Sequence, residues 1–238
     1  MTPREMIDRR RSVRSYTDEP LSPALCEEVL SYLAAVPPLF EGFRLRAEAV
    51  TREEARCTLP MLWLPHDILS VYAGKDDLSL VGVGFALGQL DLYLQGRGLG
   101  ACWLGVGRPK TKQEEDGLSF AVMMAIGHPK DVPLREGAAD FRRRTLDEIA
   151  DTRDERLEPA RLAPSAINGQ PWYFTHGDGL IHVFCTERRS LILHDLQRMD
   201  IGIALSHLAV AHPETFTFRP LSPAPEKKGY AYIGSVTL

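Results

Sequence analysis

The chain has 238 residues, of which 44% are apolar and 25% are charged, the composition of an ordinary globular protein. Its 28 basic and 32 acidic residues give a net charge of −4, whereas a dedicated nucleic-acid-binding protein usually carries a basic excess. A chain of this length can bury a large core, so the fold needs no disulfide or metal ion to hold it together.

The cysteines and the amino terminus indicate the compartment. Cys26, Cys57, Cys102 and Cys185 form no CxxC pair, which argues against a structural zinc site and fits a reducing cytosol. Residues 1–16 are arginine-rich and lack the apolar stretch of a secretory signal. No run approaches the roughly 18 apolar residues that would span a membrane. We therefore expect a cytoplasmic protein that contacts neither membrane nor nucleic acid.

Helices and strands are predicted in an order that lacks a regular βαβ repeat. Thr2 is a candidate N-cap for a short helix ending near Arg10, and Ser22-Pro23 begins a second helix that stops before Pro37. Strands are predicted over Arg44–Thr51 and Ile68–Ala73, followed by a helix over Leu80–Gln95 and strands over Ala101–Val106 and Phe120–Gly127. A helical segment begins over Leu146–Ala150 and is interrupted by Pro159. The last predicted elements are a strand over Ile181–Cys185, a helix over Leu196–Ala211 and a strand over Tyr230–Leu238. This mixture favours the α+β class.

The two long apolar helices resemble each other in sequence. Residues 83–90 and 201–208 share Gly, Ala, Leu and Leu at corresponding positions, 118 residues apart. Apolar helices often look alike, so this similarity alone leaves both coincidence and duplication open. If the chain is duplicated, Gly84 and Gly202 would let the two helices pack closely about a pseudo-two-fold axis.

Two arginine clusters are candidate anion sites. Residues 9–16 contain four guanidinium groups and a serine hydroxyl, which suits an anion, although a solvated basic turn has the same composition. Arg142, Arg143 and Arg144 lie just before a predicted helix start, where an anion could also bind.

Two further segments could contact a flat ligand. Residues 161–172 combine Pro, Ser, Asn, Gly and Gln in a rigid loop, whose amides suit a heterocycle edge or a ribityl chain; the alternative is a structural turn. Residues 96–105 have GxGxG rather than GxGxxG spacing, so the dinucleotide fingerprint fails. A glycine-rich strand where the backbone can approach a ligand remains.

Other catalytic chemistries find little support. The chain has no GxSxG, HExxH or P-loop motif, and its seven histidines are scattered. Asp195 and Asp200 are interpreted as helix caps or surface charges.

Taken together, the four clusters resemble the FMN-dependent nitroreductase family. The matching motifs are Arg10-Arg11-Ser12-Val13-Arg14, Gly98 to Gly105 together with Ile126-Gly127-His128-Pro129, Arg143-Arg144-Thr145-Leu146, and Ala163 to Trp172. The resemblance spans most of the chain. It implies a nitroreductase-like fold, FMN as cofactor, NAD(P)H as donor, and nitro compounds, quinones or similar flat acceptors. A flavin-binding protein without turnover, or oxidative chemistry on the flavin itself, remain as alternatives.

One departure from the family pattern is informative. The loop expected near residue 40 is Val36 to Phe43, which lacks the Ser, Asn, Gln and Trp of the good copy about 127 residues later. In the family each FMN lies at a dimer interface, so the resemblance implies two subunit-like halves fused in one chain, residues 1–145 and 146–238. We expect one intact flavin site per chain and a monomer with an internal pseudo-dimer.

The resemblance also implies roles for individual residues. Arg10, Ser12 and Arg143 would hold the phosphate and ribityl chain, and Arg11 and Arg14 would lie near the pyrimidine edge of the ring. The backbone at Leu104 and Gly105 would approach the ring, and the loop residues Pro164, Ser165, Ala166 and Asn168 would close the site. No catalytic side chain and no metal ligand is named, because the chemistry belongs to the flavin.

Overall fold

The computed structural model describes residues 1–57, 63–111, 114–131, 134–187 and 191–238. Its α-helices are α1 (Pro3–Met6), α2 (Pro23–Ala35), α3 (Asp77–Gly96), α4 (Leu146–Ile149), α5 (Glu158–Leu162) and α6 (Leu191–Ala211). Its strands are β1 (Leu45–Thr51), β2 (Ala55–Cys57), β3 (Asp67–Ala73), β4 (Gly100–Leu104), β5 (Gly107–Pro109), β6 (Ser119–Gly127), β7 (Trp172–Gly177), β8 (Leu180–Thr186), β9 (Thr217–Arg219) and β10 (Tyr230–Thr237). Helices and sheets mix as the α+β prediction requires.

The predicted long elements are confirmed within a few residues, and one prediction was wrong. Pro159 does not interrupt a helix that begins at Leu146. It lies in the first turn of the separate helix α5, where its missing N–H group leaves no hydrogen bond unmade. Strands β2, β5 and β9 were not predicted, because each has only three residues and shows no alternation of apolar residues. The six-residue strand β7 was also missed; its first residue, Trp172, was assigned to the preceding loop.

Two four-stranded antiparallel sheets have the same strand order. The first runs β1-β3-β6-β4 and the second runs β7-β8-β10-β9. In each sheet the strands lie in the order first, second, fourth, third along the chain, and the long helix, α3 or α6, connects the second strand to the third. Strands β2 and β5 form a small separate ribbon.

Helices α3 and α6 pack against each other at their glycines. A Cβ atom added to Gly84 would lie 2.0 Å from the carbonyl oxygen of Met199, and one added to Gly202 would lie 2.0 Å from that of Val81. Only glycine allows backbones to approach this closely. The two contacts correspond under the 118-residue offset, because Gly84 matches Gly202 and Val81 matches Met199.

Helix α3 is long and apolar enough to cross a membrane by length and composition. Most of its residues are buried between α6, α2 and the first sheet, as is usual for the central helix of a core. The buried side chains of α6 instead pack with the second sheet, where Trp172 and Phe174 are among the fully buried residues.

Helices α1 and α4 begin with the same cap. The Thr2 N–H donates to the Glu5 carboxylate at 2.7 Å, and the Thr145 N–H donates to the Glu148 carboxylate at 2.8 Å. A threonine with a glutamate three residues later satisfies backbone donors that a helix start otherwise leaves free. The cap after the arginine run therefore begins a new helix, as its sequence predicted.

Candidate active site

Two adjoining cavities lie between the amino-terminal segment and the loop that joins α5 to β7. The larger, of about 970 Å³, has more arginines in its lining than any other residue type and is called the cationic cavity below. The smaller, of about 240 Å³, is lined mainly by aliphatic and aromatic side chains and is called the apolar cavity. The residues common to both walls are Ser12, Arg14, Pro164, Ser165 and Ile167. A ligand with an anionic end and a flat apolar end could therefore occupy both.

The cationic cavity carries an excess of positive charge. Six arginines line it, against the carboxylates of Glu136 and Asp140; the arginines are Arg10, Arg11, Arg14, Arg135, Arg142 and Arg143. Burial, together with the neighbouring positive charges of Arg10, Arg135 and Arg161, lowers the pKa of Arg143 to about 10. The contribution of the neighbouring arginines to this shift indicates a positive potential, which a bound anion would neutralise.

Side chains of helix α3 hold the arginine run of residues 10–14 in place through an ion pair and hydrogen bonds. Arg10 is only 1% exposed and forms an ion pair with the equally buried Asp91, Nε to Oδ2 at 3.2 Å. Burial raises the pKa of Asp91, and the Arg10 charge opposes that shift. Gln95 donates to Asp91 at 2.5 Å and accepts the Arg11 backbone N–H at 2.8 Å. The backbone of the run is therefore held in place while Arg11 and Arg14 stay exposed.

The loop over residues 163–170, called the Pro-Ser loop below, is held by the second arginine cluster. Arg143 donates to the Ala163 carbonyl at 3.0 Å and to the Asn168 side chain at 2.6 Å. Gln170 accepts the Arg144 backbone N–H at 2.8 Å, and its own N–H donates to the Ser165 hydroxyl at 2.9 Å. Two segments that are distant in sequence thereby form one wall.

Helix α6 forms the floor of the apolar cavity. Leu196, Met199, Asp200 and Ile203 line it from positions i, i+3, i+4 and i+7, which share one helix face. Asp200 is 4% exposed, and its Oδ1 accepts the Ala166 N–H at 2.9 Å. Burial raises the pKa of Asp200 to about 7 because it penalises the ionised form. The interpretation of Asp200 as a cap or surface charge was wrong, since this carboxyl lies inside the molecule.

All the predicted site residues except Leu104 line one or both of the two cavities. Leu104 is fully buried in a core cluster, and its side chain lines neither cavity; the adjacent Gly105 lines the apolar one. Those that line the cationic cavity are Arg10, Arg11, Ser12, Arg14, Arg143, Pro164, Ser165 and Asn168, and Ala166 lines the apolar cavity. Their role in binding stays a prediction.

Sequence reasoning missed the α6 face and Arg135. The spacing of Leu196, Met199 and Ile203 with one carboxylate on the same face was the available signal for the first. Arg135 follows the first sheet in a segment without periodicity, and its pKa is lowered by burial and by the charges of Arg10 and Arg11. No motif or periodic pattern around Arg135 identified it as a residue of the site.

The fold agrees with that of a solved protein along the whole chain. A structure from Thermotoga maritima, named as that of a "putative nitroreductase", matches with a TM-score of 0.66 and 20% identity over 100% of this chain and 93% of the other. A nitroreductase family protein from Clostridium difficile matches with a TM-score of 0.49 and 17% identity, over 63% of this chain and 96% of the other. A "putative nitroreductase in complex with fmn" from Desulfovibrio desulfuricans matches with a TM-score of 0.41 and 21% identity, over 58% and 89%.

The fold is therefore that of the nitroreductases, a class of oxidoreductases. The family model described as "Putative TM nitroreductase" matches residues 4–212. The chain belongs to this family, and the resemblance inferred from its motifs is confirmed. No protein of curated function matches the sequence.

Proposed function

We propose that the protein is an FMN-dependent oxidoreductase that takes reducing equivalents from NAD(P)H and passes them to nitro compounds, quinones or similar flat acceptors. The observation that carries this proposal is the pair of adjoining cavities, one cationic and one apolar, that share Ser12, Arg14 and the Pro-Ser loop. FMN is the cofactor of the nitroreductase family.

The cationic cavity fits the phosphate end of FMN. The buried Arg10 is paired with Asp91, whereas the partly buried Arg135 and Arg143 form no ion pair with any residue that the structure describes. Guanidinium groups bind phosphate through short charge-assisted hydrogen bonds. The cluster suits a terminal phosphate, and the chain lacks a dinucleotide fingerprint, so we assign FMN rather than FAD.

The apolar cavity fits a flat ring. Gly105 lies in its wall, and a Cβ atom there would lie 3.1 Å from Leu196, so the absence of a side chain keeps this wall open. The exposed guanidinium of Arg14 lies where both cavities meet and would stabilise negative charge that develops on a reduced ring. When bound, FMN supplies the hydride and electron transfer, and the side chains bind and orient it.

The test separates turnover from simple flavin binding. Purified protein should be yellow, should bleach when NADH or NADPH is added without oxygen, and should recover its colour with a quinone or nitroaromatic acceptor. Colour without bleaching would instead support a flavin-binding protein without turnover. Mass spectrometry of the released cofactor should give FMN, and finding FAD would overturn the cofactor assignment.

We also propose that residues 1–145 and 146–238 are two related halves that form a pseudo-dimer within one chain. The repeated strand order and the reciprocal glycine contacts of α3 and α6 support this proposal. Because such a pseudo-dimer buries the interface that a separate partner would supply, we expect a monomer.

The two halves differ at the position that Asp200 occupies. Under the 118-residue offset Asp200 corresponds to Gly82, where an added Cβ would lie 2.5 Å from the Phe43 ring. Phe43 belongs to the first-half loop that lacks Ser, Asn and Gln, and its ring also packs near Phe40, with 5.5 Å between ring centroids. An aromatic ring thus fills the space that a carboxylate would need, which supports one flavin site per chain.

A further inference from the structure

The Pro-Ser loop contains a turn with an unfavourable backbone. Ile167, Asn168 and Gln170 have φ angles of 50°, 56° and 46°, a left-handed conformation that residues other than glycine rarely adopt. For a β-branched residue such as isoleucine this is a marked outlier, with a free-energy cost of the kind that persists only when surrounding contacts enforce it. We call residues 166–168 the Ile167 turn.

Ile167 is exposed although it is large and apolar. It is 79% exposed and lies in the walls of both cavities, at their junction. Neither packing nor backbone preference accounts for isoleucine there, because glycine would fit the φ angle better and a polar residue would suit the solvent. Conformational strain at ligand sites often accompanies a role in binding.

The turn is held at both ends by side chains from different parts of the chain. At its start the Ala166 N–H donates to the buried carboxyl of Asp200, and at its end Asn168 accepts from Arg143. A buried carboxyl is unfavourable, so an aliphatic residue at position 200 would be the simpler choice for the floor of an apolar cavity. The contact that a carboxyl makes and an aliphatic side chain cannot make is the hydrogen bond to Ala166.

We propose that Asp200 is a positioning residue, whose carboxyl oxygen holds the Ile167 turn so that the Ile167 side chain forms an apolar wall at the mouth of the site. The wall packs against the face of a flat acceptor and favours aromatic, planar acceptors over small polar ones. The positioning role stands on the geometry alone, whereas the role in acceptor selection rests on the proposed function.

The positioning role is tested by amide hydrogen exchange at single-residue resolution on the full chain, with and without added FMN. Asp200→Ala removes the acceptor, so the Ala166 amide should exchange at least tenfold faster than in the wild type. Asp200→Asn keeps an oxygen that can accept the bond and should stay within about threefold of the wild type. Asp195→Ala, on the exposed side of the same helix, is the matched control and should leave the Ala166 amide unchanged.

Two results would overturn the positioning role: an unchanged rate in Asp200→Ala, or an equally raised rate in folded Asp200→Asn. If Asp200→Ala does not fold, Asp200→Leu, which has nearly the same shape but no acceptor, takes its place, and an unchanged Ala166 rate there overturns the role. The measurement requires no flavin, so failure of the proposed function would leave it intact.

The wall is tested by acceptor kinetics with Ile167→Gly and Ile167→Val. Glycine suits the φ of 50° and should not reduce the unfolding midpoint, yet it removes the wall. We expect the KM for a naphthoquinone to rise at least fivefold in Ile167→Gly, with a smaller change in kcat, and less than twofold in Ile167→Val. An equal KM for the naphthoquinone in Ile167→Gly and the wild type would overturn the acceptor wall.

Discussion

Single arginines in the cationic cavity have different surroundings and should therefore have different effects. Arg14 is exposed at the junction of the cavities, whereas Arg143 is half-buried and also holds the Pro-Ser loop through Ala163 and Asn168. A charge near the ring should change the reduction potential most, because the electrostatic interaction weakens with distance, whereas a charge near the phosphate should act mainly on affinity.

Arg14→Ala should leave the fold intact, weaken FMN binding and lower the midpoint potential by tens of millivolts. Removing one charge-assisted hydrogen bond costs about 1.5–3 kcal/mol, and for a two-electron couple about 1.4 kcal/mol corresponds to roughly 30 mV. The potential falls because a nearby positive charge favours the more negative, reduced flavin. Arg143→Ala should weaken binding with the potential nearly unchanged.

Redox titration of both variants decides the assignment, with Arg14→Lys as the control that keeps the charge. Equal potentials in Arg14→Ala and the wild type would show that Arg14 is not near the ring.

Asp200 should make the stability of the flavin-free protein depend on pH. Its pKa is about 7 in the folded state and about 4 in an unfolded chain, so the folded state binds this proton more tightly. The ionised carboxyl destabilises the fold above pH 7, and this destabilisation disappears as the pH falls from 7 towards 4.

Urea midpoints at pH 5 and pH 8 test this expectation. The wild type should lose more stability between pH 5 and pH 8 than Asp200→Asn, which cannot ionise at this position. The difference between the two proteins isolates Asp200 from the other titrating groups, and an identical pH dependence would mean that its pKa is not raised.

At the scale of elements, the crossing of α3 and α6 depends on two glycines. Each lies where a Cβ atom would be 2.0 Å from a carbonyl oxygen of the other helix, which is shorter than any real contact. The neighbouring Gly88 faces Ser206, its own counterpart under the 118-residue offset, with 2.2 Å between the added Cβ and the hydroxyl oxygen. The contacts of α3 with α6 are therefore related by an approximate two-fold axis that passes between Gly88 and Ser206.

Gly84→Ala and Gly202→Ala should each destabilise the protein by at least about 1–3 kcal/mol, because the helices must separate to accept the methyl group. The two losses should be similar, since the contacts are reciprocal. Gly137→Ala is the control, because an added Cβ there meets nothing within 4 Å and its φ is extended. Denaturant unfolding midpoints measure all three, and a tolerated Gly84→Ala would contradict the close crossing.

Much of the site could be predicted because two of its walls are each formed by a short continuous segment of the sequence. The run from Arg10 to Arg14 and the loop from Pro164 to Asn168 each contain several polar residues within a few positions, so their chemistry is visible without a fold. The contribution of α6 is distributed over one helix face and depends on which way that face turns, which tertiary packing decides. Asp200 was misjudged for this reason, because a lone carboxylate in a helix is usually exposed.

The fold was predictable where elements are long and apolar. The helix over Leu80–Gln95 and the strand over Phe120–Gly127 have strong patterns and are confirmed. The ribbon of β2 and β5 and the edge strand β9 have three residues each, and their pairing is set by neighbouring strands rather than by their own sequence.

At the scale of the whole molecule, both walls of the site come from one chain. The arginine run and Gly105 precede residue 145, whereas the Pro-Ser loop and α6 follow it. The first-half loop, which has Phe43 in contact with Gly82, leaves no equivalent carboxylate to hold a second such loop. If the proposed single composite site is correct, a monomer should bind one FMN.

The most direct test is a titration of flavin-free protein with FMN, followed by absorbance and combined with sedimentation velocity over a hundredfold range of protein concentration. We predict saturation at one FMN per chain, on a species that sediments as a monomer, with an affinity that does not change on dilution. Saturation at two FMN per chain, or binding that is lost on dilution as a dimer dissociates, would contradict the single composite site within one chain.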